Sequence, residues 1–123
     1  MPHTNNWEKE GLYRQFTGNI SGDEILCSNF ELHEHPNFQK IKYIINDFKE
    51  VTGHSIESTH TKVYALTDHI ISSTKGELSI ALIVTQAPLL ILAENYREQM
   101  IDKLFTCEIF QHIEDARKWI SNK

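Results

Sequence analysis

The spacing of apolar residues changes repeatedly along the chain, and the changes divide it into alternating strand-like and helix-like segments. Residues 7–8 and 12–18 read as the arms of a hairpin turned at Glu10-Gly11. Ser21-Gly22-Asp23-Glu24 is a capping box: the Ser21 hydroxyl accepts from the Glu24 amide, and the Glu24 carboxylate accepts from the Ser21 amide. The helix it opens is expected to turn Ile25, Leu26, Phe30 and Leu32 to the core and to stop at Pro36. Residues 41–48 then form a strand with Ile41, Tyr43 and Ile45 on one face and Ile44 on the other, ending at Asp47. A second helix is predicted from about Ser55 to Lys75, with Val63, Leu66 and Ile70 at helical spacing and Gly76 at its end. Residues 78–84, LSIALIV, are nearly continuously apolar, as in a central strand covered on both faces. Pro88 suits the first turn of a third helix over 88–104, whose stripe is Leu92, Tyr96, Met100 and Leu104. A short strand at 107–110 and a final helix at 112–121, with Ala116, Trp119 and Ile120 inward, complete the pattern.

Three strand–helix–strand units in succession predict an α/β fold. Its sheet is mixed but mostly parallel, with about five strands and four helices, and with parallel neighbours near residues 43, 81 and 108. The hairpin joins as an edge. Residues 1–123 are read as a single domain, since a chain of this length closes around one core. Ligands of such sheets bind beyond the carboxyl ends of the strands, which directs attention to loops 47–55 and 85–89.

Composition narrows the partners. The net charge of −5, with Lys and Arg scattered and only Lys40 and Lys42 close together, argues against nucleic acid. Cys27 and Cys107 form no framework and suit buried thiols in a reducing compartment. The first residues, MPHTNNWEKEG, lack the apolar run of a signal peptide, and no stretch is long enough for a membrane span. A cytoplasmic location is therefore expected.

The candidate chemistry is sparse. Asp47, at a strand end, is an acid, a ligand or a residue that fixes its loop by accepting from backbone amides. Ser55 is either an N-cap or, at a helix amino terminus that favours negative charge, a modification or anion site. His33 and His35 do not share a helix face, and His54 and His60 only bracket the second helix start, so no metal or other cofactor is expected. Cys107 lacks an activating neighbour and reads as a structural thiol. Leu89-Leu90-Ile91-Leu92 cannot all face one core; part of this run must meet a neighbouring helix, a ligand, a second subunit or a membrane. Arg117 is expected in a surface ion pair, and Trp119 as the anchor of the last helix.

The order of elements resembles the STAS domain, in particular its SpoIIAA-like branch, which is also compared with Sec14-type lipid-binding domains. The resemblance is carried by Trp7, Gly11-Leu12-Tyr13 and Gly18, by Phe38 and Tyr43-Ile44-Ile45-Asn46-Asp47-Phe48, by residues 81–84, and by Phe110, Glu114, Ala116, Arg117, Trp119 and Ile120. It implies a non-enzymatic regulator that binds partner proteins, in some members switched by serine phosphorylation in an Asp-Ser-Ser-Gly run. Laid on that run through Asp47, Phe48 and Val51, this chain puts Ser55 at the Asp, Ile56 and Glu57 at the serines and Ser58 at the Gly. The phosphoacceptor is absent in this register, which leaves Ser55 and Ser58 as modification candidates through a shifted loop.

The sequence thus predicts a binding or regulatory domain without catalytic residues. It would work through protein contacts at a mouth formed by residues 47–58 and helix 88–104, with Asp47, Thr52, His54, Ser55, Ser58, Leu89 and Leu90 as the binding candidates. The partner is another protein or a second copy. The alternative is a carrier or sensor of a small hydrophobic, lipid-like ligand with peripheral membrane contact.

Overall fold

The computed structural model describes residues 3–123. Five strands form one sheet in the order β1-β2-β3-β4-β5: β1 (His3–Trp7), β2 (Gly11–Ser21), β3 (Tyr43–Ser55), β4 (Leu78–Ile83) and β5 (Phe105–Phe110). The β1–β2 pair is antiparallel, and β2, β3, β4 and β5 run parallel to one another. The helices are α1 (Gly22–Glu34), α2 (Ser58–Lys75), α3 (Ala87–Gln99) and α4 (Ile113–Ser121), with a 3-10 turn at Pro36–Lys40. This is the mixed, mostly parallel sheet with four helices that the sequence predicts.

Local chemistry accounts for the boundaries. The capping box at Ser21 forms as expected, with both reciprocal bonds at 3.0–3.1 Å. The α1 helix stops before Pro36, where the His35 ring accepts from the Asn37 amide at 3.0 Å and stacks on Trp7. Gly11 opens β2 because the Tyr43 ring lies over it; a Cβ there would come within 2.2 Å of that ring. Gly18, at φ 70°, sits where the β2–β3 register slips, a backbone state that glycine adopts without penalty.

Two layers cover the sheet. Helices α1, α2 and α3 pack on one face over a core that includes Leu12, Phe16, Ile44, Ile80, Leu82 and Phe105. On the other face α4 covers a smaller core of Ile45, Ala81, Ile83 and Ala116, with Trp119 and Ile120 against it. The expected anchoring role of Trp119 and Ile120 is therefore seen.

Several expected boundaries and faces are corrected. Strand β3 does not end at Asp47: it leaves β4 there but continues to Ser55 along β2, with an extra residue inserted twice. The stretch 47–55 is a strand, not a loop, because β2 is long enough to pair with it. Val63, Leu66 and Ile70 are 40%, 58% and 61% exposed; the buried face of α2 is instead Thr61, Tyr64, Ala65, Asp68 and Ser72. The polar members of that inward face hide it from a reading based on apolar spacing. Phe30 is likewise exposed, since α1 turns Ser28 and Asn29 inward. Helix α3 ends at Gln99, and its buried stripe is Leu89, Ala93 and Tyr96, with Met100 at its cap and Leu104 exposed. Cys27 is exposed, and Cys107 is buried as expected.

Candidate functional site

Strand β2 alternates Leu12, Arg14 and Phe16 on the three-helix face, so a guanidinium occupies a position the strand period assigns to the core. Arg14 is only 3% exposed. Its register partner on β3 is Asn46, whose Oδ1 accepts from Nε at 2.9 Å. From α1, Ser28 Oγ accepts from Nη1 at 2.9 Å and Asn29 Oδ1 from Nη2 at 2.8 Å. Burial pushes the Arg14 pKa down to about 10 while the more distant Asp68 pulls it up.

A cavity of about 90 Å³ lies between this face and the helices. Its wall is largely aliphatic and aromatic, and Arg14, Asn29, Asn46, Asp68, His33 and Tyr96 supply the polar part. Asp68 projects from the buried face of α2. Its Oδ2 accepts from the Tyr96 hydroxyl at 2.5 Å, and its Oδ1 lies 3.3 Å from His33 Nε2. Burial, with Asp68 beside it, holds the Tyr96 hydroxyl well above the ordinary tyrosine range, so it stays a donor. Phe48, Ile56, His33 and Leu92 are the lining residues that keep partial exposure. Of these, Ile56 follows the end of β3, Leu92 belongs to the helix that follows β4, and Phe48 lies in β3 just after it parts from β4.

The predicted residues divide around this cavity. Leu89 lines it and is buried; Leu90 packs at the edge of the core; Ile91 is 70% exposed. Asp47 is on the opposite face of the sheet, buried, accepting from the Tyr13 hydroxyl and from the Lys49 amide at 2.9 Å. The backbone-fixing role weighed for it is the observed one, although in a strand bulge rather than a loop. Thr52 is the extra residue at the second register slip and is exposed. His54 turns its ring to its own chain, with Nδ1 accepting from the Ile56 amide at 3.1 Å. Ser55 ends β3 and caps nothing: α2 begins at Ser58, with Glu57 as N-cap and the Glu57 amide donating to His60 Nδ1 at 2.9 Å. Ser55 and Ser58 are both exposed. Asp47, His54 and Ser55 therefore do not converge.

Arg14, Asn46, Asp68 and Tyr96 were not among the residues predicted from sequence. The available signal was a charge at an inward position: Arg14 between Leu12 and Phe16, and Asp68 four residues after Tyr64. His33, considered only as a metal ligand, pairs with Asp68. Among the described residues no group of three or more His, Cys, Asp or Glu side chains could hold a metal ion. Burial pushes the Cys107 thiol far up, which makes it a poor nucleophile.

At the rim of the α4 face, Glu8 accepts from Arg117 Nη1 at 3.0 Å and Nη2 at 2.7 Å, and from the Tyr43 hydroxyl. The expected surface ion pair of Arg117 is thus a bidentate clasp between α4 and the hairpin.

No protein-family model matches the chain, and neither does any curated protein. Solved structures do. The anti-sigma factor antagonist SpoIIAA, in its unphosphorylated form, superposes over 98% of this chain and 99% of that chain, with a TM-score of 0.63 and 8% identity. An uncharacterized DUF3478-family protein with a SpoIIAA-like fold, from Shewanella loihica PV-4, covers 95% of this chain and 90% of that chain, with a TM-score of 0.54 and 13% identity. The fold is SpoIIAA-like, of the STAS type. At such identities the likeness concerns the architecture alone. No helix among the described residues is long and apolar enough to cross a membrane.

Proposed function

We propose that this chain is a non-catalytic regulatory domain that binds another protein through the outer face of α2. The observation that carries the reading is the stripe of Val63, Leu66 and Ile70, neighbours at i, i+3 and i+7, which are 40–61% exposed on an otherwise well-filled domain. On α3, which packs beside α2, Ile91 is also 70% exposed. This moves the contact surface from the mouth expected at 47–58 to the helix layer beside it. The similar fold of SpoIIAA, an antagonist of an anti-sigma factor, supports a protein as the occupant. The lack of a converged nucleophile and base around Asp47, His54 and Ser55 supports a role without catalysis.

The test is the pair Leu66→Asp and Ile70→Asp. Both sites are solvent-facing, so stability should change by no more than about 0.5 kcal/mol. A partner captured by the unaltered chain, then purified and measured by calorimetry, should lose at least ~10-fold in affinity to the double variant. Unchanged affinity overturns the assignment of this face. A dimer of this chain in light scattering that dissociates on the same substitutions would replace the protein partner with a second copy.

A further inference from the structure

The cavity under α2 has a composition that a packing defect does not explain. Its wall is mostly apolar, with a polar end where Arg14, Asn29, Asn46, Thr61 and the Asp68–Tyr96–His33 group meet it. Arg14 lies over the Phe16 ring, and its hydrogen-bond acceptors are all neutral: Asn46, Ser28 and Asn29. Those three bonds use three of the five N–H donors of the fork. Among the described residues no carboxylate lies within ion-pair distance of Arg14. Asp68, the acid that lines the cavity, has both oxygens engaged, one by the Tyr96 hydroxyl and one by His33. A buried cation without a contacting anion is uncommon, because its desolvation is ordinarily offset by direct pairing.

We propose that this cavity is a binding site for a small free monocarboxylate with a short apolar tail. The planar fork of Arg14 matches a carboxylate in geometry and charge, and it is held in place by both the sheet and α1. Ile44, Leu82, Leu89 and Ala93 provide the apolar surroundings for the tail. Size sets the class. An apolar cavity of about 150 Å³ takes a benzene-sized guest of about six heavy atoms, so the 90 Å³ here suits acetate or propionate. It is far below the ~300–1,000 Å³ of pockets for larger ligands, which removes a lipid chain from consideration unless the walls part. Entry runs past the partly exposed Phe48, Ile56 and Leu92. The site is separate from the outer face of α2, and its occupancy does not depend on a protein partner.

The experiment is a titration of the full chain, followed by amide and side-chain NMR, with acetate, propionate, hexanoate and the uncharged isostere propionamide. The expected result is saturable shifts at Arg14 and Asn46 with a Kd on the order of 1 mM or tighter for the short acids. Propionamide should bind at least ~10-fold more weakly than propionate. Ala93→Leu, which fills the cavity and leaves the Arg14 residue itself in place, should abolish the shifts. Arg14→Lys, which keeps the charge and loses the fork, should weaken propionate by a similar ~10-fold. Equal binding of propionate and propionamide overturns the proposal, as does the absence of saturable shifts at ~20 mM propionate. The acid–amide contrast is read on the unaltered chain, so it decides the matter even where a variant fails to fold.

Discussion

The two faces of the sheet handle charge in opposite ways. On the three-helix face Arg14 is fully enclosed, met by amide and hydroxyl oxygens, with Asp68 nearby but committed to Tyr96 and His33. On the α4 face the ion pair stays at the rim, where Arg117 grips Glu8 with both Nη atoms while its side chain remains 44% exposed. Further in on that face, Asp47 meets a phenol and an amide rather than a cation. The difference shows what each arrangement is suited to. A rim pair staples α4 to the hairpin and asks little of the solvent. A buried guanidinium on neutral partners is costly to desolvate and keeps attraction in reserve for an anion.

Substitutions can break this contrast, and the largest effect should come from Arg14→Ala. It leaves Asn46, Ser28 and Asn29 without their shared donor and opens the core, so a loss of about 3–5 kcal/mol is expected in urea denaturation. A loss below ~1 kcal/mol would place Arg14 with the rim residues and erase the distinction. Next is Tyr13→Phe, which removes the hydroxyl from buried Asp47 while the Lys49 amide stays; a loss of about 1–3 kcal/mol is expected by the same measurement.

The smallest effect belongs to Arg117→Ala, at under ~1 kcal/mol near neutral pH. Its signature is the pH dependence. The hydrogen bonds from Arg117, and secondarily the one from Tyr43, hold the Glu8 carboxyl below its ordinary 4.5 against the opposing effect of burial. A carboxylate lowered in the folded state contributes stability that is present above its ordinary pKa and is lost as pH falls through the lower folded value. The Arg117→Ala protein should therefore show a shallower loss of stability below pH 4.5 than the unaltered chain. Parallel acid limbs for the two proteins would mean that the clasp is not made in solution.

What could be read from sequence follows the same division between apolar and polar burial. Segments with continuous apolar character, such as Leu78–Ile83, or with a local chemical signal, such as Ser21 with Glu24, were placed correctly. The sequence marks the existence of each helix, but the boundaries of α2 and α3 differ from those its spacing predicts, and the inward faces are not legible where burial is polar. Thr61, Asp68 and Ser72 face the core of α2, while Leu66 and Ile70 face water. Apolar spacing marks the wrong stripe on such a helix, because its inward polar groups find partners that are distant in sequence. Tyr96 lies 28 residues from Asp68, and Asn46 lies 32 residues from Arg14. The end of β3 was misread for a related reason. After Asp47 the strand loses β4 but keeps β2, and no local pattern reports the length of a neighbouring strand.

The strand order has a consequence for where anything can bind. Chain order and spatial order coincide from β1 to β5, so the three parallel crossovers all step in one direction and, with a constant hand, set α1, α2 and α3 on one side. The winding never doubles back, and no two crossover helices between parallel strands leave for opposite faces; α4, on the other face, follows the edge strand β5. Doubly wound sheets have their ready-made crevice at that reversal. This chain has none, and the space it offers lies instead between the sheet and its helical layer, where Phe48, Ile56 and Leu92 reach the surface.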